Sequence, residues 1–136
     1  MTKNIFITSI IYFLLIVSVF SAGSDGDGGG ESKVKSNYEM AVSHIKFAKK
    51  LEKKGKLDKA KKRFEKAQKL LIKSNNKKPN NADTLNYLGF TTRKLGDFEN
   101  GEKYYLQGLA INPNHKGINE YLGELYVATK RHNLAI

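Results

Sequence analysis

The chain has 136 residues, enough for one small domain with a modest core, and its formal net charge is +11 at pH 7. So large a positive charge calls for an anionic partner or for surroundings that tolerate it. Because cysteine is absent, a disulfide framework and a thiolate metal site are excluded, while the redox compartment stays open.

The first 23 residues have the pattern of an export signal. Lys3 precedes a mostly apolar stretch, residues 5–20, and the small residues Ser21, Ala22 and Gly23 follow it. A secretory signal combines a short cationic start, an apolar core and small residues at its cleavage site. We therefore expect a signal peptide over residues 1–23, cleavage after Ser21 or Gly23, and export to the periplasm or another extracytoplasmic location.

The same segment also fits an uncleaved membrane anchor. Residues 5–23 number 19, and a spanning helix needs about 20. Both interpretations place the remainder of the chain outside the cytoplasm. Residues 24–35 begin with SDGDGGG, which has no apolar side chain, so we expect a flexible linker there.

The folded domain is predicted to cover residues 36–136. Ser36, followed three residues later by Glu39, is a capping box, in which each side chain satisfies a free backbone amide at a helix start. We expect the first helix to begin at Asn37. Apolar and small residues then recur at helical rather than alternating spacing, at Phe47, Ala48, Leu51, Leu57, Ala60, Phe64, Ala67 and Leu71.

Glycines separate the predicted helices. Glycine tolerates the left-handed conformation that ends a helix, so residues 54–56, centred on Gly55, are predicted to form the tight turn of a helical hairpin. A second hairpin is predicted to turn at Gly96, with Asp97 capping its second helix. Its further apolar and small positions are Leu85, Leu88, Gly89, Leu95, Phe98, Gly101, Tyr105, Gly108, Leu109 and Pro113, and a third hairpin begins with Tyr121, Leu122, Gly123, Tyr126 and Ala135.

The segment ADTLNYLGFTTRKLGDFENGEKYYLQGLAINPN, which starts at Ala82, resembles a tetratricopeptide repeat almost position for position. The resemblance implies that residues 88–89 set the helix packing and that Tyr105 fills the gap between paired helices. It also implies that Gly101 and Gly108 let the helices approach. The family prefers alanine at these two positions, and a glycine within a helix costs up to about 1 kcal/mol relative to alanine.

Three copies follow from this resemblance, at residues 41–81, 82–115 and, incomplete, 116–136. The third copy starts 34 residues after the second, which is the family period, whereas the first lies 41 residues upstream. The seven added residues equal about two helical turns, so we expect a longer second helix in the first hairpin, fraying at residues 74–76. The implied fold is all-α, a right-handed superhelical stack of antiparallel helical hairpins with about two and a half repeats.

The third copy matches the family only through its first helix and the opening of its second, at residues 133–135. The end of a helical solenoid normally carries a polar capping helix. We therefore expect the apolar face formed by Leu122, Leu125 and Tyr126 to be poorly covered.

By resemblance, partners bind in the concave groove lined by the first helix of each hairpin. Phe90 is the preferred anchor, predicted to be exposed, because aromatic side chains carry a disproportionate share of binding energy. Packing between repeats is the alternative role for this residue. The candidate groove residues are Lys49, Glu52, Lys53, Asn86, Phe90, Arg93, Lys94, Glu120, Glu124 and Val127.

The excess positive charge is concentrated on the first hairpin. Residues 33–78 contain 17 Lys or Arg against 4 Asp or Glu, whereas residues 79–136 contain 6 of each. The second helix of this hairpin is amphipathic with a cationic exterior, which suits anionic lipid, glycan or an acidic protein, or is simply a solvated face. The candidate basic face consists of Lys59, Lys61, Lys62, Arg63, Lys66 and Lys69.

Catalytic and metal-binding patterns are not recognisable in the sequence. His44, His115 and His132 lie on different hairpins without a spaced partner, so we predict no enzyme, cofactor, metal or small-molecule substrate. No recognition helix or stacking platform supports a nucleic-acid partner. The predicted function is a non-catalytic protein–protein interaction scaffold of the cell envelope. The alternative is an envelope surface-binding module that uses the basic first hairpin on anionic lipid or glycan.

Overall fold

The computed structural model of the protein describes residues 35–135. The predicted signal peptide or anchor, nearly all of the predicted linker and Ile136 lie outside this range. The described residues contain a short 3-10 turn, His132–Leu134, and no strand, which confirms the all-α class. None of their helices is long and apolar enough to cross a membrane. The five α-helices are α1 Asn37–Lys53, α2 Leu57–Lys77, α3 Ala82–Lys94, α4 Phe98–Ile111 and α5 Lys116–Ala128.

The helices stack as consecutive hairpins. Helix α1 packs against α2, and α3 packs against α4, while α2 contacts α3 and α4 contacts α5. The first helices of the hairpins, α1, α3 and α5, also contact one another in series. These three helices therefore form one continuous layer, which is the layer that the resemblance assigns to the groove.

Polar side chains cap the starts of α1 and α4, as the sequence predicts. The Ser36 hydroxyl oxygen accepts a hydrogen bond from the Glu39 amide at 3.2 Å, and the Glu39 carboxylate accepts one from the Ser36 amide at 2.8 Å. Helix α1 begins at Asn37, as expected. The Asp97 carboxylate accepts a hydrogen bond from the Asn100 amide at 3.0 Å and so caps α4.

Each first helix ends in the same left-handed turn. At the end of α1, the Lys56 amide donates to the Leu51 carbonyl at 2.9 Å, and Gly55 has φ +67°. The same hydrogen-bond pattern closes α3 at Gly96, with φ +97°, and α5 at Lys130, with φ +60°. These three residues are 41 and 34 positions apart, the offsets predicted between the repeats. The register of the repeats is thus confirmed in the backbone.

The added residues of the first repeat lengthen α2. This helix has 21 residues and α4 has 14, so the predicted extension of two turns is confirmed. The predicted fraying at residues 74–76 is wrong, because the helix continues to Lys77. The Lys78 amide donates to the Ser74 carbonyl at 2.9 Å, and Ser74 and Asn75 are half-buried, which supports the last turn.

The apolar core continues into the third repeat. Leu122 and Leu125 are buried in a cluster with Tyr105 and Ile118, and Tyr126 is half-buried beside them. The prediction that this face is poorly covered is therefore wrong for both leucines, since α4 already covers them. The exposed apolar side chains at this end of the described chain are instead Leu106, Ile111, Val127 and Leu134.

Two glycines permit the close contacts implied by the resemblance. Tyr105 is fully buried, and a Cβ placed on Gly89 would lie 2.5 Å from its ring atom Cε1. A Cβ placed on Gly108 would overlap Cδ1 of Ile118 on α5. Glycine thus replaces the family's alanine at position 108 because an isoleucine from the next repeat fills the space.

Candidate binding surfaces

The predicted groove residues meet where α1, α3 and α5 contact one another. The ring centroid of Phe90 lies 4.9 Å from that of Tyr121 on α5 and 5.9 Å from that of Phe64 on α2. Only 3% of Phe90 is exposed. The prediction that Phe90 is an exposed anchor is wrong, because the neighbouring rings enclose it. Its role is packing between repeats.

Three basic side chains surround this aromatic pair. Lys49 Nζ lies 5.1 Å from the centroid of Phe90 and 5.7 Å from that of Tyr121, and it donates to the Tyr121 hydroxyl oxygen at 3.4 Å. The Arg93 guanidinium and Lys94 Nζ lie 5.9 and 6.0 Å from the centroid of Phe90. At such distances a cation is attracted to the face of an aromatic ring. These three cations therefore stabilise the aromatic pair.

Two ion pairs tie the first helices together. Lys94 Nζ lies 2.8 Å from Glu52 Oε1, which joins α3 to α1, and Arg93 Nη2 lies 2.6 Å from Glu124 Oε2, which joins α3 to α5. Partly exposed pairs of this kind contribute about 0–1 kcal/mol each. Four of the predicted groove residues are thus brought together, but they contact one another first.

Asn86 is also enclosed by the protein. It is buried, and a Cβ placed on Gly117 would lie 2.9 Å from its Nδ2 atom, so the first turn of α5 fits closely against this side chain. Asn86 therefore packs between α3 and α5 rather than presenting its amide to a partner. The predicted groove residues that remain exposed are Lys49, Lys53, Lys94, Glu120, Glu124 and Val127.

The predicted basic face is exposed except at Arg63. This residue is half-buried, its guanidinium carbon lies 4.6 Å from the ring centroid of Phe47, and its Nη1 donates to His44 Nδ1 at 3.1 Å. Arg63 thus bridges α2 to α1 instead of pointing freely into solvent. The exposed members are Lys59, Lys61, Lys62, Lys66 and Lys69.

Phe47 and His44 are the residues beside the basic face that the sequence analysis did not assign to it. Phe47 fits the helical apolar pattern, yet 47% of it is exposed. The buried positions of α1 are 41, 45 and 48, and a helix turns by about 100° per residue, so position 47 lies beside this stripe rather than on it. The spacing of the three buried residues was the signal that could have shown Phe47 to be exposed.

Two histidines have defined structural partners. Burial lowers the pKa of His44, and the positive charges of Arg63 and Lys66 lower it further. His115 accepts a hydrogen bond from the Ile118 amide at Nδ1, 3.1 Å away, and its Nε2 lies 3.0 Å from an Asp83 carboxylate oxygen. His115 therefore caps α5. Within residues 35–135, no group of three or more His, Asp or Glu side chains is arranged to hold a metal ion.

Tyr105 is fully buried and serves packing, as the resemblance implies, and Tyr38 packs against the core while partly buried. Burial, with smaller contributions from Asp83 and Tyr87, raises the pKa of Tyr38 to about 12. Burial also raises the pKa of Tyr105 well above its ordinary value. Both shifts have the same main cause, since burial disfavours the charged phenolate.

Known proteins match both the repeat and most of the chain. Residues 82–115, which contain α3 and α4, match the Tetratricopeptide repeat family. The chain is also similar to the TPR repeat-containing protein of Borreliella burgdorferi, with 28% identity over 126 residues, or 93% of this chain and 50% of the relative. It therefore spans about half the length of this curated relative.

Residues 82–115 are therefore a tetratricopeptide repeat. The family match covers the hairpin in which Tyr105 packs over Gly89, and the backbone turns at Gly55 and Lys130 extend the same register to both sides of it. The three copies inferred from the sequence thus belong to one stack. Tetratricopeptide repeats generally mediate protein–protein interactions and act as non-catalytic scaffolds, which is the general role of the fold described above.

Proposed function

We propose that this tetratricopeptide repeat protein is a non-catalytic scaffold of the cell envelope, which binds a protein or peptide across α1, α3 and α5. The observation that carries the proposal is the continuity of the surface formed by these helices. Side chains of all three meet around Phe90 and Tyr121, and ion pairs hold their relative positions. A partner could therefore contact three helices without first ordering them.

The N-terminal sequence supports the envelope location. Lys3, the apolar residues 5–20 and the small residues after them have the composition of a signal that directs export. If the segment is retained, it holds the repeats at the outer surface of the membrane. Cleavage would instead release them into the extracytoplasmic space.

The exposed groove residues provide the test. A photo-crosslinking amino acid is placed at Lys53, Glu120 or Val127 of the full-length protein in its native cells, and adducts are identified by mass spectrometry. We expect the same protein adduct from all three positions. Leu106 on α4 is the control position, since it is 47% exposed and Val127 is 52% exposed. Equal recovery of the adduct from Leu106, or no protein adduct from the groove positions, contradicts the proposal.

A paired substitution measures the contribution of the groove. Val127→Asp places a charge on the proposed contact surface, and Leu106→Asp places the same charge on a similarly exposed aliphatic position of α4. We expect Val127→Asp to lower the affinity for the captured partner about tenfold or more, because a buried interface residue can be worth over 1 kcal/mol. Leu106→Asp should leave the affinity unchanged.

A second candidate function uses the basic hairpin on anionic lipid or glycan. The observation that favours it is that no α2 lysine takes part in an ion pair within residues 35–135, so their charges are available to an anionic surface. Contacts made by exposed lysines weaken steeply as salt screens them, whereas a groove contact that buries Val127 should persist. The salt dependence of binding therefore separates the two candidates.

A further inference from the structure

A cleft between α1 and α2 combines an aromatic surface with a high density of positive charge. It has a volume of about 340 Å³ and lies around the half-exposed ring of Phe47. Leu51 is the other apolar residue that lines it. The remaining five lining residues are all basic, namely Lys56, Lys59, Lys62, Arg63 and Lys66. We call this site the Phe47 cleft.

The positive charge of the Phe47 cleft is not neutralised within the described chain. No Asp or Glu is among its lining residues, and none of the ion pairs within residues 35–135 includes a basic residue of the cleft. Arg63 binds the ring of Phe47 and the imidazole of His44, both uncharged groups. An anionic partner could therefore bind these five cations without displacing an Asp or Glu side chain of the described residues.

The Phe47 cleft lies away from the proposed groove. Lys49 points toward Tyr121 on α5, and Phe47 precedes it by two positions on the same helix. Two positions correspond to about 200° of rotation in an α-helix. Phe47 and Lys49 thus lie on nearly opposite sides of α1, and one molecule of the protein can use both surfaces at once.

We infer that the Phe47 cleft docks on the headgroup layer of an anionic phospholipid bilayer, with the edge of Phe47 entering the layer and the lysines binding lipid phosphates. This inference rests on the second candidate function and assigns it a site and a partner. On amphipathic helices that lie in the membrane interface, Trp, Phe and Leu enter the boundary between headgroups and acyl chains, and Lys and Arg occupy the polar face. A lysine near an anionic leaflet contributes about a fivefold gain in binding.

The chemistry of the cleft favours a fluid anionic surface over a nucleic acid. Four of its five cations are lysines, which are point charges on flexible stems, and arginine is the usual residue for bidentate recognition of a fixed phosphate or base. Flexible lysines can follow lipid headgroups as these diffuse. A single half-exposed aromatic ring also provides no series of platforms on which successive bases could stack.

The N-terminal sequence places such a surface within reach if residues 5–23 remain in the membrane. The chain from Gly23 to Ser36 is 13 residues long and spans at most about 45 Å when fully extended. The first hairpin directly follows this segment. Docking through the Phe47 cleft would then add a second contact to an existing anchor, and the effective concentration of lipid at the cleft would be high.

Because the chain has no tryptophan, Phe47→Trp provides a reporter that sees only the cleft. The full-length F47W protein is reconstituted into vesicles of phosphatidylcholine or of a phosphatidylcholine and phosphatidylglycerol mixture, each with brominated acyl chains as quenchers. We expect quenching and a blue-shifted emission severalfold greater in the mixture. Raising the salt from about 0.05 to 0.5 M should reverse both, since the Debye length shortens to a few ångströms.

Phe98→Trp is the matched control, because Phe98 is a half-exposed aromatic residue at the start of α4, outside the basic hairpin. Its emission should be the same in both kinds of vesicle. An equal response of F47W and F98W would show non-specific adsorption and overturn the inference. So would an F47W emission that does not differ between the vesicles.

Lysine substitutions test the charge. In the F47W background, neutralising Lys59, Lys62 and Lys66 to glutamine should lower the ratio of docked to free cleft about 100-fold. Neutralising Lys103, Lys116 and Lys130 removes the same net charge from exposed positions outside the basic hairpin and should leave the ratio nearly unchanged. An equal loss in both triple variants would mean that net charge alone drives adsorption, which overturns the assigned site.

Soluble polyanions distinguish the other occupants. Dextran sulfate represents an anionic glycan, and a single-stranded oligonucleotide represents a nucleic acid. If either one shifts the F47W emission while the anionic vesicles do not, the cleft serves that class of ligand and the lipid assignment is wrong. None of these outcomes affects the protein adducts at Lys53, Glu120 and Val127, so failure of the cleft and failure of the groove remain distinguishable.

Discussion

The second and third repeats both have glycine at the same repeat position, but the space around it is filled in the second repeat and open in the third. Gly89 and Gly123 lie 34 positions apart, each directly after a buried leucine. A Cβ on Gly89 would strike the ring of Tyr105, whereas a Cβ on Gly123 would meet no atom of the described chain within 4 Å. Glycine is therefore required by packing in the second repeat and only lowers helix stability in the third.

At the turn after the first helix the contrast is reversed, because the second repeat has the better-suited glycine and the third repeat has lysine. Gly96 closes α3 with a left-handed conformation that costs glycine little, and Lys130 closes α5 in nearly the same way although it carries a side chain. For residues other than glycine this conformation costs about 1–2 kcal/mol. The third repeat thus has glycine where alanine would fit and lysine where glycine would fit, and both choices lower its stability.

The largest effect should come from Gly89→Ala. Its Cβ would lie 2.5 Å from Tyr105 Cε1, and the fully buried ring has little room to move. Overpacking of this kind destabilises a protein by about 1–3 kcal/mol. We expect the free energy of unfolding, measured by urea denaturation with far-UV circular dichroism, to fall by this amount.

A double-mutant cycle isolates the clash as the cause. In a Tyr105→Leu background the ring is absent, so Gly89→Ala should cost much less than it does in the natural chain. If the cost is the same in both backgrounds, the close approach of Tyr105 is not the reason for glycine at position 89.

Lys130→Gly should stabilise the protein by about 1 kcal/mol, because glycine adopts a positive φ without steric cost. Lys130→Ala is the matched control. It removes the same charge and amine but keeps a Cβ, so it should give no comparable gain in the free energy of unfolding. A gain from both substitutions would assign the effect to the charge of Lys130 rather than to its backbone conformation.

Gly123→Ala should stabilise the protein by about 0.5–1 kcal/mol, since alanine is the better helix former and the space around position 123 is open. The same substitution is then destabilising at position 89 and stabilising at position 123. A loss of stability at both positions would mean that another group packs over α5 in solution.

The smallest effect concerns the first repeat and acid. Because burial and Arg63 lower the pKa of His44 in the folded protein, the unfolded chain binds a proton more readily just below the ordinary pKa of 6.5. The stabilising contribution of neutral His44 is therefore present above pH 6.5 and is lost as the pH falls below it. Thermal melts of a His44→Gln variant should show a shallower decline on acidification than those of the natural chain.

Local signals predicted the architecture well. The capping box at Ser36, the turn glycines Gly55 and Gly96, and the cap at Asp97 each depend on residues within one turn of a helix. Such signals can be recognised from the sequence because the groups that satisfy one another are close in the chain. The spacing of the two turn glycines set the register of the first two copies, and the pair Leu122 and Gly123, 34 positions after Leu88 and Gly89, set that of the third.

Contacts between distant residues could not be predicted in the same way. The burial of Phe90 depends on Phe64 and Tyr121, which lie 26 residues before it and 31 residues after it. The resemblance assigns Phe90 to the groove side of α3 but does not say how closely the neighbouring helices approach. The ion pair of Lys94 with Glu52 is missed for the same reason, because each residue taken alone is simply a charged position on a helix.

The two ion pairs across the first helices also affect which peptides the proposed groove would prefer. A partner carboxylate that approaches Lys94 or Arg93 must displace Glu52 or Glu124, both of which are already in place. Exchange of one carboxylate for another changes the free energy of binding little. An isolated acidic side chain of a partner therefore gains little affinity at Lys94 or Arg93. Peptides that bind in the proposed groove would instead be ranked by how well their shape follows the three first helices.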